Sequence, residues 1–147
     1  MDKSMLTRKW VDYKFYYSMK QKVRQHVKAG AKLLDKEAAN GKGPWWERIS
    51  IENLAMNDGV YCILGQTFGD FGNGCTLLNI SSSVYPSDKI HTEKTVADLG
   101  FDIDKTEIES FDDKKIYYDY LKQAWLKEIN SRRRIAAWKK RLNLKKN

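Results

Sequence analysis

The chain has 147 residues, of which 41% are hydrophobic and 12% aromatic, and this length and composition predict one domain with a packed core. No run approaches the roughly 20 apolar residues of a transmembrane helix. The N-terminus has no apolar stretch after its first charges, so it does not resemble a secretory signal, and we expect a cytoplasmic protein. A chain of this length does not need a disulfide bond between its two cysteines to be stable.

Charge is divided unevenly along the chain. The net charge is +8, but residues 1–36 carry ten Lys and Arg against three Asp and Glu, residues 37–113 carry five against fourteen, and residues 114–147 carry twelve against two. The single domain 1–147 therefore has two basic ends and an acidic middle. Either the ends fold back and neutralise the middle, or they form a positive face for an external anion. The density of cations at the C-terminus favours the second interpretation.

Residues 4–35 have the pattern of a long basic helix. Their apolar residues recur mainly at spacings of three and four, and Gly30 is the only strong helix breaker among them. The alternation of residues from Val11 to Tyr17 also suits a short strand. The glycines and the proline of 40–44 predict the end of the helix.

A short buried helix is predicted between Val60 and Gly69. Asn57 or Asp58 stands where an N-cap is needed, and apolar residues then follow at helical spacing. A buried strand over residues 60–64 is the alternative, because length alone cannot separate the two.

The acidic middle ends in less regular sequence, and a second long helix follows. We expect a turn at 70–74 and, over 81–113, a long loop with one short helix. From Asp112 the apolar spacing is helical again, with acids at the start and cations towards the end, as the helix dipole favours. Asn130 and Ser131 are placed to kink or divide this helix. The predicted fold class is mainly α, with long basic N- and C-terminal helices and possible minor β structure in the centre.

The C-terminal segment carries the strongest functional signal. Eight Lys and Arg follow residue 130, no acid follows Glu128, and Trp138 lies among the cations. Arginine binds phosphate with a fork of donors, aromatic rings stack on bases, and counterion release makes such binding strongly salt-dependent. An acidic protein surface, an anionic membrane and a merely solvated tail are the competing interpretations. The apolar stripe is narrow and interrupted, which argues against the membrane.

The first helix adds cations interleaved with aromatic residues. This pattern suits a base-stacking platform, and it is also common where a helix packs on a core. We predict that both basic ends bind nucleic acid or a nucleoprotein complex. The predicted binding residues are Arg132, Arg133, Arg134, Trp138, Lys139, Lys140, Arg141, Lys20, Arg24 and Lys28.

Catalysis and metal binding are not predicted. Cys62, Cys75, His26 and His91 are scattered, without the paired spacing of a zinc site, and the cysteines have the pattern of buried apolar residues. Neither histidine stands in a motif that would activate a nucleophile. The acids of 98–113 only faintly resemble a metal-dependent nuclease site. We expect no cofactor, no metal and no enzymatic activity.

A set of short motifs is spread over residues 30–133. The pattern is Leu-Leu-Asp, a Trp, Cys-x-Leu-Gly-Gln-x-Phe-Gly-Asp, Gly-Phe and Trp-x-x-Glu-Ile. It is formed by Leu33, Leu34 and Asp35, by Trp45 or Trp46, by Cys62, Leu64, Gly65, Gln66, Phe68, Gly69 and Asp70, by Gly100 and Phe101, and by Trp125, Glu128 and Ile129. These motifs resemble those of a family of small proteins from bacteriophages and related mobile elements that has no assigned activity.

The resemblance implies a shared scaffold in the middle of the chain and specialised basic ends, because both ends lie outside the pattern. It also implies an accessory protein that acts in the cytoplasm of a host bacterium. Small phage proteins often block host defences, so the specific expectation is an anti-CRISPR-like inhibitor of a host nuclease effector. The alternative is a protein–protein interaction module whose basic tail docks on an acidic protein surface.

Overall fold

A computed structural model describes residues 3–37, 43–82, 94–104, 108 and 110–146, and their side chains from residue 12 to residue 145. It confirms the mainly helical fold. The elements are α1 (Lys3–Glu37), a 3-10 turn (Trp45–Glu47), α2 (Ile63–Phe68), α3 (Phe71–Leu78) and α4 (Phe111–Lys146). Within the described ranges, β structure is limited to one isolated bridge between Ser81 and Thr95.

The two long helices, α1 and α4, lie side by side and run parallel. The Tyr16 hydroxyl, in the first half of α1, donates to Asp113 (3.1 Å) near the beginning of α4, and Asp35, near the end of α1, pairs with Arg132 (2.7 Å) in the second half of α4. Both pairs are 97 residues apart, so the helices keep one register over this length. The same offset places the end of α1 level with Arg134. The last twelve residues of α4 therefore extend past α1, over about 18 Å at 1.5 Å per residue.

Each long helix buries one stripe of apolar side chains at steps of three and four. The stripes are Met19, Val23, Val27, Ala31 and Leu34 on α1, and Tyr117, Leu121, Ala124, Trp125 and Ile129 on α4. The division expected as one possibility at Asn130 and Ser131 does not occur, since α4 continues through both residues. Packing contacts before and after them outweigh their weak helix propensity.

The middle of the chain packs closely against this pair of helices. A Cβ at Gly30 would collide with the carbonyl oxygen of Leu99. Gly100 lies against Val27 with φ +70°, a conformation that side chains rarely allow. The indole N–H of Trp125 donates to the carbonyl oxygen of Gly100 (2.6 Å). These contacts join both long helices to the middle of the chain.

Trp125 is the centre of the core. It is fully buried, Phe101 stacks on it with 5.3 Å between ring centroids, and Trp45 meets it edge-on at 5.8 Å. Aromatic pairs of this geometry contribute about 0.5–1.5 kcal/mol each beyond the apolar area they bury.

The helix predicted before Gly69 is confirmed as α2, and the strand alternative is not formed. Its N-cap is Cys62, whose sulfur accepts a hydrogen bond from the N–H of Gly65 (3.3 Å). The prediction that Asn57 or Asp58 is the N-cap is therefore wrong. The carboxylate of Asp58 instead accepts backbone N–H groups two and three residues later, in a turn that precedes the helix.

The turn expected at 70–74 is instead the start of α3. Asp70 is its N-cap and accepts from the N–H of Asn73 (2.6 Å). Gly74 faces Leu64 so closely that a Cβ would not fit without a shift. Gly74, one of the glycines that suggest a turn, thus allows α2 and α3 to approach each other. Within the described part of 81–113, residues 94–104 form turns, and the short helix expected there is not found.

Candidate nucleic-acid interface

The three consecutive arginines of α4 have different surroundings. Arg132 pairs with Asp35 (2.7 Å) and Glu128 (2.6 Å), and its guanidinium lies 5.6 Å from the centroid of the Trp45 ring. Only 19% of its side chain is exposed. The predicted binding residue Arg132 is therefore engaged within the molecule, because it follows Ile129 by three residues and so continues the inward stripe.

Arg133 is also turned inward. Its guanidinium donates to the carbonyl oxygens of Trp46 (2.9 Å) and Ile49 (2.7 Å). It thereby ties the 3-10 turn and the segment that follows it to α4. Of the three arginines, Arg134 alone is classed as exposed. The predicted cluster Arg132–Arg134 thus consists of two arginines that hold the fold together and one that faces solvent.

Asp35 is the acid that holds Arg132. It also accepts from the indole N–H of Trp45 (2.8 Å). Burial alone would raise the pKa of Asp35, but the hydrogen bonds from Arg132 and Trp45 outweigh burial, and the pKa lies below its ordinary value of 3.8. The hydrogen bond to Asp35 in turn raises the pKa of Arg132. Both groups are therefore charged at neutral pH.

Several residues of the phage-type motif pattern meet in this region. Asp35 and Glu128 hold Arg132, while Trp45 packs on Trp125. The Gln66 side chain accepts from the N–H of residue 50 (2.6 Å) and donates to the carbonyl oxygens of residues 50 and 61. These contacts stabilise the fold.

From Arg134 onward α4 is largely surrounded by solvent. The cations Arg134, Lys139, Lys140 and Arg141 are exposed, and within the part of the chain that the structure describes their side chains form no ion pair or hydrogen bond. Trp138 is 57% exposed. We call residues 135–146 the free end of α4.

A row of cations on α1 meets α4 at Tyr120. Lys20, Arg24 and Lys28 follow one another at steps of four residues, and the Lys20 ammonium lies 5.8 Å from the centroid of the Tyr120 ring. On α4, cations follow Tyr120 at steps of seven residues. Each step rotates the direction in which the side chain leaves the helix axis by only about 20°. We call the two rows together the basic face; it comprises Lys20, Arg24, Lys28, Lys127, Arg134 and Arg141.

The basic face is a line and not a cluster. The register of the two helices places Lys20 level with Tyr117, and Arg141 lies 24 residues farther along α4, which corresponds to about 36 Å. The structure thus brings the α1 cations and Lys139–Arg141 to one pair of helices but not to one point. Sequence reasoning missed Tyr120 and Lys127, although the heptad spacing with Arg134 was a signal for both.

The cysteines, the possible metal ligands and the long helices were the other features considered in the sequence. Cys62 and Cys75 are buried free thiols, as predicted, and burial raises the pKa of Cys75 to about 11. Among the described residues, no three His, Cys, Asp or Glu side chains gather as metal ligands, and His91 lies outside those residues. α1 and α4 are long enough to cross a bilayer, but neither they nor any other described helix is apolar enough.

The chain was compared with protein-family models, with curated protein sequences and with solved structures, and no match was found in any of the three. The likeness to phage and mobile-element proteins therefore remains a prediction based on the motif residues.

Proposed function

We propose that the protein is a non-enzymatic accessory protein that binds nucleic acid, free or within a nucleoprotein complex. The binding surface is the basic face together with the cations of the free end of α4. The observation that carries this proposal is the contact of Lys20 with Tyr120 in the register of α1 and α4, from which the helical spacing places six cations along about 36 Å of one helix pair. A binding site of this shape suits an extended polyanion better than a compact ligand.

The dimensions and the chemistry of the surface support this function. Duplex DNA carries one phosphate charge per roughly 1.7 Å, so a 36 Å line of cations faces about one helical turn. Aromatic rings are available beside the cations, since Trp138 is exposed on α4 and the exposed rings of Tyr13 and Tyr17 stack on each other on α1. Such rings stack on unpaired bases.

The resemblance to phage proteins gives the proposal a specific form. In that form the protein acts in the bacterial cytoplasm and inhibits a host nuclease effector by binding at its nucleic acid. A protein–protein interaction module is the second candidate. It is favoured by the apolar side chains that lie between the cations on the free end of α4.

The proposal is tested by titrating labelled duplex DNA, duplex RNA and single strands with the protein at several salt concentrations, followed by fluorescence anisotropy. Replacing Lys20, Arg24 and Lys28 together with Gln should weaken binding and reduce the slope of log affinity against log salt by about one for each phosphate that is no longer neutralised. The same is expected for the pair Arg134→Gln and Arg141→Gln.

A matched control removes three exposed cations that lie outside the basic face. Arg48, Lys94 and Lys115 serve this purpose, because their replacement with Gln changes the net charge by the same amount as the α1 variant. The control should keep affinity close to that of the parent protein. Equal losses in both triple variants would mean that net charge alone attracts the nucleic acid, and the proposed site would be wrong.

A further inference from the structure

Three apolar residues, Ile135, Trp138 and Leu142, are spaced by three and four residues on the free end of α4. Leu121 and Ala124 are buried. Ile135 and Leu142 follow Leu121 by two and three heptads, and Trp138 follows Ala124 by two heptads. Glu128 and Ser131 occupy the corresponding positions of the heptad between, so the apolar stripe of the free end is separate from the buried one. In a two-helix coiled coil such residues occupy the a and d positions that face the partner helix. Ile135, Leu142 and Trp138 are 51%, 38% and 57% exposed, respectively, so the free end of α4 has an uncovered apolar stripe of its own.

The positions that flank this stripe are cationic. With Ile135 at a and Trp138 at d, Arg134 and Arg141 occupy g positions and Lys139 occupies an e position, and all three cations are exposed. Charges at e and g select the partner of a coiled coil. A second copy of this helix would place cations against cations, so the stripe is unsuited to pairing with itself.

We propose that the free end of α4 binds an acidic amphipathic helix of a partner protein. The partner helix has apolar residues at its own a and d positions and Asp or Glu at its e and g positions. The free end of about 18 Å accommodates roughly two heptads of such a helix. Because α4 is already helical and continuous with the core, its own half of the interface is ordered before binding.

This inference goes beyond the proposed function, because it assigns a role to apolar side chains that phosphate binding does not use. The basic face contacts a polyanion through Lys20, Arg24 and Lys28 as well as through α4. The coiled-coil stripe depends on Ile135 and Leu142 and does not involve α1. The two activities can therefore be removed separately.

The experiment uses a synthetic labelled peptide of about three heptads, with Ile and Leu at a and d and Glu at e and g. Its binding to the full-length protein is followed by fluorescence anisotropy. We expect saturable binding that falls by roughly tenfold or more in the Ile135→Ala, Leu142→Ala double variant. Alanine keeps the helix propensity of α4 high, so weaker binding cannot be attributed to unfolding of the free end.

Two further variants of the protein and two further peptides serve as controls. Val60→Ala with Leu77→Ala removes exposed apolar side chains elsewhere and should leave peptide binding unchanged. The Lys20, Arg24 and Lys28 triple variant should bind the peptide like the parent while binding nucleic acid more weakly. A peptide with Lys at e and g should not bind, and a Glu-rich peptide without apolar a and d residues should bind much more weakly.

The inference is overturned if the acidic helix fails to bind, if it binds equally after the Ile135 and Leu142 substitutions, or if the Glu-rich peptide without apolar residues binds as tightly. Failure of the peptide with retained nucleic-acid binding would leave the proposed function in place. If the protein bound the peptide but not nucleic acid, the proposed function would be wrong and this inference would stay in place.

Discussion

The part of α4 before Arg134 and the part after it carry the same kinds of residue in different surroundings. Both parts have arginines, a tryptophan and branched aliphatic side chains at helical spacing. Trp125 is fully buried, whereas Trp138 is 57% exposed. Arg132 is paired with two acids, whereas Arg134 is exposed. The presence of α1 and of the middle of the chain beside the helix, and not the residue type, decides whether a side chain stabilises the fold or is available to a partner.

The largest expected contrast concerns the two tryptophans. Trp125→Ala should lower the free energy of unfolding by about 3–5 kcal/mol, because it empties the centre of the core and breaks the bond to Gly100. Trp138→Ala should change it by no more than about 0.5 kcal/mol. Urea denaturation followed by circular dichroism measures both. A large decrease for Trp138→Ala would show that the free end of α4 packs on the rest of the molecule.

Because α1 lies so close to the middle of the chain, we expect Gly30→Ala to destabilise the protein, although glycine-to-alanine changes within helices usually stabilise. In an exposed helix interior this change stabilises by roughly 0.5–1 kcal/mol. Here the added methyl group meets the backbone of Leu99, so we expect a destabilisation of about 1–3 kcal/mol. Gln25→Ala, at an exposed position of the same helix, is the control and should be nearly neutral. A stabilised Gly30→Ala protein would contradict the close packing of α1 on Leu99.

Arg132 and Arg134 should differ in the same way as the two tryptophans, but with a smaller difference in their effects on stability. Arg132→Ala removes the partner of Asp35 and of Glu128, and we expect a destabilisation of about 1–3 kcal/mol in thermal or urea unfolding. Arg134→Ala should cost less than about 0.5 kcal/mol and should weaken nucleic-acid binding. If the two substitutions affected stability equally, the division of α4 at residue 134 would be wrong.

The smallest expected effect is on the pH dependence of stability. The pKa of Asp35 lies below 3.8 in the folded protein, because hydrogen bonds from Arg132 and Trp45 outweigh burial, which acts in the opposite direction. The unfolded chain therefore binds this proton first as the pH falls, and the stability that Asp35 contributes above pH 3.8 disappears as the pH passes through the folded pKa. Asp35→Asn should show a shallower decline of unfolding free energy between about pH 5 and 2. An unchanged decline would exclude this contribution.

Local patterns predicted the long helices well and the short ones incompletely. The spacing of Val23, Val27 and Leu34 is sufficient to place α1, because a buried stripe at steps of three and four is a local property. The cap of α2 could not be predicted in this way, since a thiol is a weak acceptor and Asp58 is the stronger candidate by residue type. The glycine at residue 74 suggests a turn but is required by contact with Leu64, which belongs to another helix.

The candidate site was also only partly predictable. The exposed cations of the free end of α4 follow from composition, because nothing in that segment could neutralise them. The inward orientation of Arg133 could not be predicted, since its partners are the backbone oxygens of Trp46 and Ile49, far away in sequence. Backbone carbonyls are present at every residue and leave no mark in a sequence pattern.

By itself the sequence determined two basic amphipathic helices, an acidic middle with a buried core and a C-terminal segment free of acids. These properties depend on periodicity and charge within short stretches. Only the tertiary structure decided the parallel pairing of α1 and α4 in a register of 97 residues. That register places Arg132 against Asp35 and Lys20 beside Tyr120, and it leaves the end of α4 uncovered. It is set by the fit of the middle of the chain around Gly30, Gly100 and Trp125, a long-range packing condition that no local pattern contains.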